Sequence, residues 1–389
     1  MIPALDTHHV FAHTPTSLAA QLAELGMPRF RADQILDWVY RKHTFDIAQM
    51  SNLSQADRRQ LADRLILSSG SILHQQQGSD GTTKLLVQWD EQQTAAQGSE
   101  PDVALPLAQA QTAARDPSRE TECVMIPASE RRASGSGVPV RRTACISSQV
   151  GCPVGCTFCA SGIGGLDGNL SAGRIVEQVW LLDAQLGSAP RPSRISHVVF
   201  MGMGEPLANY RAVVQAVHTL CAEWAFGISG RRITISTVGL PTAIRRLADE
   251  DWPAGRPTLA LSLHAPDDDL RRQLIPWAEY ASIAEILDAC AYYFDRTGRE
   301  STLEYILLGG VNDSPACAEQ LARLCRSLRA NVNLIRYNEV DSLPYRRPTS
   351  DAVHEFQAVL RRRQVNVHIR ASRGRDIAAA CGQLRHEGR

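Results

Sequence analysis

The chain has 389 residues, long enough for two or three domains of ordinary size around a substantial buried core. With 44% apolar and 21% charged residues, and Gly and Pro near average, it falls outside the collagen-like, disordered and coiled-coil classes. Formal net charge is zero, so whole-chain electrostatics make no case for a polyanionic partner and any such case must be local.

In chain order, Ser17 to Leu67 carries helical periodicity broken by turns at Gly26-Met27-Pro28 and around Asn52. A strand is expected over Thr83 to Trp89, and residues 1–90 are expected to form a small N-terminal accessory domain. Residues 91–121 have the Ala, Gln, Asp and Glu bias of a linker or insertion. Ala128 to Val138, with Ser-Gly-Ser-Gly inside it, is expected to be an exposed excursion.

From residue 122 to 389 the pattern changes to short β-type runs alternating with amphipathic helical segments. The runs after Arg141 are Ala144 to Ser147, His197 to Met201, Arg232 to Val238, Thr258 to His264, Thr302 to Leu308, Val332 to Tyr337 and Asn366 to Ala371. Ser171 to Leu186 is one helical partner, with Ser171 as its cap and Ile175, Val176, Val179 and Leu182 on one face. Such alternation predicts a parallel α/β sheet or barrel, with function gathered at the C-terminal strand ends.

The basic residues are 39 Arg and two Lys, Lys42 and Lys84. From Gln320 to Arg389 there are 14 Arg against six acidic residues, so a basic face is expected there, from Arg336, Arg346, Arg347 and Arg361 to Arg363. No run of about 18 apolar residues exists, and Met1 to Gly26 lacks a basic start followed by an apolar core, so no membrane partner and a cytoplasmic location are expected.

Ten cysteines are too few for a disulfide scaffold of this size, so their spacing carries the information. Cys152, Cys156 and Cys159 form a C-x3-C-x2-C run directly after the first of the parallel β-type runs. Structural zinc takes four ligands, commonly in paired arrangements, and no second pair lies nearby. Three thiolates on one loop can instead hold a 4Fe–4S cluster with one iron left open. Gly151, Pro153 and Gly155 mark this segment as a loop, which argues against three cysteines packed in a core.

This motif resembles the signature of radical S-adenosylmethionine (SAM) enzymes. The surrounding segments resemble one branch, the RlmN and Cfr type adenine methyltransferases of ribosomal RNA, and most of all its dual-specificity RlmN members. The matching segments are Cys145 to Cys152, Phe200 to Leu207, Ile235 to Gly239, Ser262 to His264, Gly309 to Asp313 and Ala380 to Leu384. The resemblance spans about Glu122 to Leu384 and extends loosely to Pro28 to Gln34 in the accessory, RNA-contacting module.

The resemblance implies a partial (β/α)6 TIM-like radical SAM barrel with a small helical N-terminal domain, a 4Fe–4S cluster on Cys152, Cys156 and Cys159, and SAM held by Gly204, Glu205, Ser236, Ser262, Leu263, His264 and Asn338. It further implies a methyl group carried on Cys381, its transfer as a radical to C2 of adenine, release by attack of Cys145 through a transient disulfide, and Glu122 as the base that removes the C2 proton. The implied partners are 23S rRNA in a protein-poor or pre-assembly state, tRNA, and an electron donor such as flavodoxin. Taken alone, Glu122 has the lesser alternative of a solvated residue opening a strand, and Cys145 that of a core cysteine.

Two alternatives stand beside this reading. Arg336 after Asn333-Leu334-Ile335 matches relatives that methylate C8 and confer antibiotic resistance, whereas Pro206 matches the C2 type. A non-enzymatic iron–sulfur RNA-binding protein is the other, and it leaves Cys145, Cys381 and the SAM set unexplained.

Overall fold

A computed structural model describes residues 8–90, 120–127, 141–186 and 194–384. The expected excursion at 128–138, and the expected linker apart from its last two residues, lie outside the described residues. Three helices, α1 (Pro15–Glu24), α2 (Arg31–Tyr40) and α3 (Gln55–Ala62), form the N-terminal module. Thr14 and Ser54 start α1 and α3 with reciprocal capping boxes, each side chain accepting the N–H three residues on.

A buried carboxylate is one of the module's ties to the rest, beside the shared core and the bonds from Trp180 Nε1–H to Val39 O and from Gln215 Nε2–H to Ala12 O. Glu177 accepts hydrogen bonds from Ser68 Oγ, from Ser69 N and Oγ and from Gly70 N, and meets His9 Nε2 at 3.0 Å. Burial opposes its charge, but the His9 and Ser68 contacts outweigh it and hold its pKa below the usual carboxylate value.

Strands β1 (Gly70–Gln77) and β2 (Thr83–Trp89) form an antiparallel hairpin. β2 pairs antiparallel with β3 (Glu120–Pro127), and β3 with β4 (Arg142–Cys145). The hairpin therefore extends the main sheet, although its residues fall within the stretch grouped by sequence with the N-terminal helices. A loop bracketed by the two-stranded β5 (Gln149–Gly151) and β6 (Leu166–Asn169) follows β4.

Beyond it the chain alternates through α4 (Ala172–Ala184), β7 (His197–Phe200), α5 (Tyr210–Cys221), β8 (Ile233–Thr237), α6 (Pro241–Asp249) and β9 (Thr258–Ser262). It continues through α7 (Asp268–Leu274), α8 (Ile283–Thr297), β10 (Ser301–Leu307), α9 (Pro315–Leu324), β11 (Ala330–Arg336), α10 (Ser350–Arg362) and β12 (Val367–Arg370). Each neighbouring pair from β4 to β12 in the main sheet is parallel, giving six βα units and a closing strand, the partial barrel expected from the sequence. Ile235, Leu259, Leu303 and Val332 sit wholly buried in the large core cluster with the helices, while the alternate residues face the barrel interior.

The direction of α10 corrects one expectation. It starts beyond the C-terminal end of β11 and ends beside the start of β12, where Asn366 bonds Asn331 at the beginning of β11. Arg361 to Arg363 therefore lie at the opposite end of the barrel from Arg336, Arg346 and Arg347, and the arginines do not share a face. Arg363 is paired with Glu319 of α9 at 2.7 Å.

Candidate active site

The C-terminal strand ends converge on a cleft of about 830 Å³ including its solvent-open part, within the range of cofactor sites. Cys152, Cys156, Cys159, Gly204, Ser236, Ser262, His264, Glu304, Ile335, Arg370 and Cys381 all contribute to its wall. Cysteine loop, SAM candidates and the distant Cys381 are thus brought together with the ends of six parallel strands, β7 to β12.

The cysteine loop is shaped by its backbone. Gly151 has φ +74°, and a Cβ there would meet Gly165 O at 2.1 Å, so the tight turn into the loop requires glycine. Cys152 N–H bonds Gly165 O, Thr157 N–H bonds Leu274 O and Cys159 N–H bonds Cys156 O, which holds all three cysteines on one concave surface. Burial and mutual repulsion push the thiols up, Cys152 to about 12.

That environment disfavours three free thiolates and suits them bound to positive iron. Among the described residues no group of His, Cys, Asp or Glu converges tightly enough for a single metal ion. Three thiols on one loop, lining one cleft, suit a multinuclear cluster with a separate iron for each sulfur.

Gly204 has φ +101°, and a Cβ would lie 2.7 Å from Gln149 Cβ and 2.8 Å from Ser148 Oγ. Glu205 lies behind the wall, Oε1 accepting from Leu207 N–H and Oε2 from Val238 N–H. Burial outweighs these bonds and lifts its pKa to about 7. Ser236 and Ser262 are within 3.3 Å of each other. His264 adopts φ +59° and accepts the Ile306 N–H on Nδ1, so its neutral ring carries the proton on Nε2; burial and then Arg271 lower its pKa to about 3. Leu263 is fully buried and off the cleft wall.

A second cavity, of about 560 Å³, adjoins the first and shares Met201, Ile335, Arg370 and Cys381 with it. Cys145 and Cys381 both line it, with Asn338, whose Nδ2 donates to Cys381 O at 3.2 Å. Asn338 thus stands against the thiol pair and not on the wall of the larger cleft. Burial, then the neighbouring Cys381, pushes the Cys145 thiol up to about 12, with Arg370 opposing. All ten cysteines are free, so the Cys145–Cys381 disulfide implied as a passing state is not formed here.

Glu122 is not a solvated strand opener: it is 5% exposed and lies within β3. It shares a strand face with Val124, which pairs with Cys145, and with Ile126 on the wall of the second cavity. Its carboxylate meets Lys84 Nζ at 2.7 Å.

Sequence reasoning missed Arg370, Glu304 and Ser161. Arg370 donates to Met201 Sδ and sits 4.0 Å from Glu304, so the β12 end faces the β7 end across the interior. Ser161 Oγ donates to Leu384 O and Ala160 N–H to Gly382 O, fastening the Cys381 segment to the cysteine loop. For Glu304 a charged residue inside a mainly apolar β-type run was the available signal; Arg370, in the more polar Asn366 to Ala371 run, gave none as clear.

Comparisons with known proteins agree with this geometry. Residues 146–321 match the radical SAM superfamily, and residues 10–67 match the ribosomal RNA large subunit methyltransferase N-terminal domain. The chain is 41% identical over 94% of its length, and 91% of the relative's, to a protein of Salinibacter ruber named "Probable dual-specificity RNA methyltransferase RlmN". A protein of the same name from Symbiobacterium thermophilum is 42% identical over 95% of this chain and 89% of its own. The crystal structure of a radical SAM methyltransferase from Sphaerobacter thermophilus superposes with a TM-score of 0.84 at 39% identity, covering 97% of this chain and 99% of that one.

Proposed function

Because the chain belongs to the RlmN-type radical SAM RNA methyltransferases, which use a 4Fe–4S cluster and SAM, we propose that it methylates C2 of one adenine in 23S rRNA and of the adenine beside the anticodon in certain tRNAs. The observation that carries this reading is the adjacency of two cavities that share Cys381: the three-cysteine cleft on one side and Cys145 on the other. C2 carries neither a lone pair nor an acidic proton, so a methyl group must arrive there as a carbon radical.

On this reading Cys152, Cys156 and Cys159 would hold the cluster, and Gly204, Ser236, Ser262 and His264, with Glu205 behind them, would hold SAM. The bound pair supplies the means to take a hydrogen atom from a methyl group. Cys381 first accepts that methyl on sulfur, losing its thiol proton and leaving S-adenosylhomocysteine. Its position on both walls lets one residue serve both the cleft and the RNA.

After the methyl carbon joins C2, the radical adduct loses one electron, for which the bound cluster would be the acceptor, and Glu122 takes the C2 proton. Cys145 attacks the Cys381 sulfur, the sulfur–carbon bond breaks, and the carbon keeps the electron pair and is protonated to a methyl group. A cellular dithiol then returns the cysteine pair to thiols, and a donor such as flavodoxin delivers electrons to the cluster. The substrate is rRNA before or outside full ribosome assembly, in the cytoplasm.

Pro206 lines the cleft, whereas Arg336 follows Ile335 on its strand and so turns away from the cavity that Ile335 lines. The C8-type arginine therefore does not face the reaction, which favours C2. Mass spectrometry of rRNA and tRNA from cells with and without the gene tests this directly. Gene-dependent 2-methyladenosine in both RNAs is expected, and a methyl group at C8, or none, overturns the reading.

A further inference from the structure

Lys84 is one of only two lysines in a chain with 39 arginines, and its place explains why that position matters. Its ammonium reaches Glu122 at 2.7 Å and Ala378 O at 3.4 Å, so one cation touches both the candidate base and the segment that carries Cys381. Lys84 stands opposite Val124 in the β2–β3 register, two positions along from Glu122, a diagonal cross-strand pair on the interior face.

The hairpin around Lys84 holds the same segment at further points. Ser79 N–H donates to Asp376 at 2.7 Å, and Asp80 accepts the Gly374 N–H at 3.1 Å and lies 3.7 Å from Arg373. Between these contacts and Cys381 the chain passes through Ala378 at φ +49°, a left-handed conformation that a non-glycine residue keeps only where surrounding contacts hold it. The Lys84 bond falls on that residue's carbonyl.

We propose that Lys84 is a positioning residue for release of the methylated product: anchored on the Ala378 carbonyl beside the Cys381 turn, it fixes the Glu122 carboxylate toward the thiol cavity. This rests on the reading above, in which Glu122 removes the C2 proton and Cys381 carries the carbon. A single flexible ammonium can serve a carboxylate and a carbonyl at once, whereas the planar fork of arginine is built for paired contacts; this distinguishes the position from the 39 that carry arginine.

The test compares wild type, Lys84→Gln, Lys84→Arg, Glu122→Ala and the double variant Lys84→Gln/Glu122→Ala, each purified from cells. Iron content, methylation of Cys381 and nucleotide left on Cys381 after nuclease are read by metal analysis and mass spectrometry, and product formation is measured on 23S rRNA. Lys84→Gln is expected to keep its iron and its methylated Cys381 but to trap RNA on Cys381 and lose roughly tenfold to a hundredfold in product formation, part of what a general base contributes. Lys84→Arg, which keeps the charge but not the single-point donor, should recover only part of the loss.

The double variant should be no slower than Glu122→Ala alone, because the two residues act in one step. Normal turnover of Lys84→Gln without trapped RNA overturns the proposal, and so does loss of iron in that variant, which would make the residue structural. Losses that multiply in the double variant overturn it as well. If Glu122→Ala itself turns over normally, the base assignment falls; if Glu122→Ala stalls while Lys84→Gln does not, the role of Lys84 alone falls.

Discussion

Replacing Cys145 with Ala separates folding from chemistry. Cys145 is 7% exposed and packs with Val124, Val199, Met203, Ala379 and Leu384, so deleting its sulfur costs about 1 kcal/mol of transfer and cavity energy, too little to unfold a domain of this size. On the proposed pathway the chemical consequence is far larger, since Cys145 is the thiol outside the cysteine loop that stands beside the Cys381 sulfur and could displace it from the RNA carbon. The variant should bind iron, methylate Cys381, react with RNA and stop there.

Wild type supplies a second readout. With the thiol pushed up to about 12, only about one molecule in 10⁵ carries the thiolate at pH 7, and attack requires the thiolate. Burial is the main cause. The Cys381 contribution vanishes once that sulfur is a thioether, while Arg370 continues to favour the anion. The pKa stays above neutrality, so release should quicken with rising pH by about tenfold per unit through the neutral range. The assay is a denaturing gel of nuclease-treated enzyme with mass spectrometry of the Cys381 peptide. Normal turnover of Cys145→Ala without trapped nucleotide, or release in wild type that ignores pH, refutes the two-thiol pathway.

Three further outcomes follow from the geometry. Anaerobic reconstitution should load about four irons per chain, abolished by Ala at Cys152, Cys156 or Cys159; stoichiometric zinc without iron-dependent absorbance would exclude the cluster. Gly204→Ala puts a Cβ 2.7 Å from Gln149 Cβ at a φ of +101°, which should cost roughly 2–4 kcal/mol in denaturant unfolding and abolish SAM binding by equilibrium titration. Unchanged SAM affinity would remove Gly204 from the site. Glu177→Gln should weaken attachment of the N-terminal helices by about 3 kcal/mol at neutral pH, read as faster amide exchange across residues 10–67. Because the folded pKa of Glu177 is depressed, its stabilisation is complete above the unfolded carboxylate value and is lost as pH falls below it toward the folded value. The mutational difference should therefore shrink in acid, and a constant difference would contradict the assignment.

Much of the barrel was legible because its signals are local. The Thr83 to Trp89 run is β2 residue for residue, the seven β-type runs are the seven parallel strands, and Ser171 caps α4 by accepting the Arg174 N–H. The cysteine loop and Gly204, Ser236, Ser262 and His264 on the cleft wall could be picked out for the same reason, since each is a short run whose order along the chain is itself information, whereas Leu263 and Asn338 lie off that wall. β1 gave no such signal: Gly70–Gln77 is largely exposed and held by pairing with β2, so its apolar pattern is weak. The arginine patch failed because charge counts contain no direction, and only the path of α10 sends Arg361 to Arg363 to the far end of the barrel. The hairpin's grip on the Cys381 segment, with partners 294 residues apart, had no local counterpart to read.

That grip bears on how a single sulfur can serve two cavities. Cys381 lies on neither a helix nor a strand but on an irregular segment with left-handed residues at Gly374, Ala378 and Gly382. A regular element would commit the side chain to one face. The turn instead sets Cys381 on the ridge between the cleft and the thiol cavity, and it is held from both sides, by Ser79, Asp80 and Lys84 on the hairpin and by Ala160 and Ser161 on the cysteine loop. Each anchor is a hydrogen bond worth about 1 kcal/mol, so together they hold the segment without welding it to either wall. On the proposed pathway this sulfur accepts a methyl group on one side and yields it on the other, which such a mounting would allow, and the antiparallel hairpin added to the barrel supplies half of it.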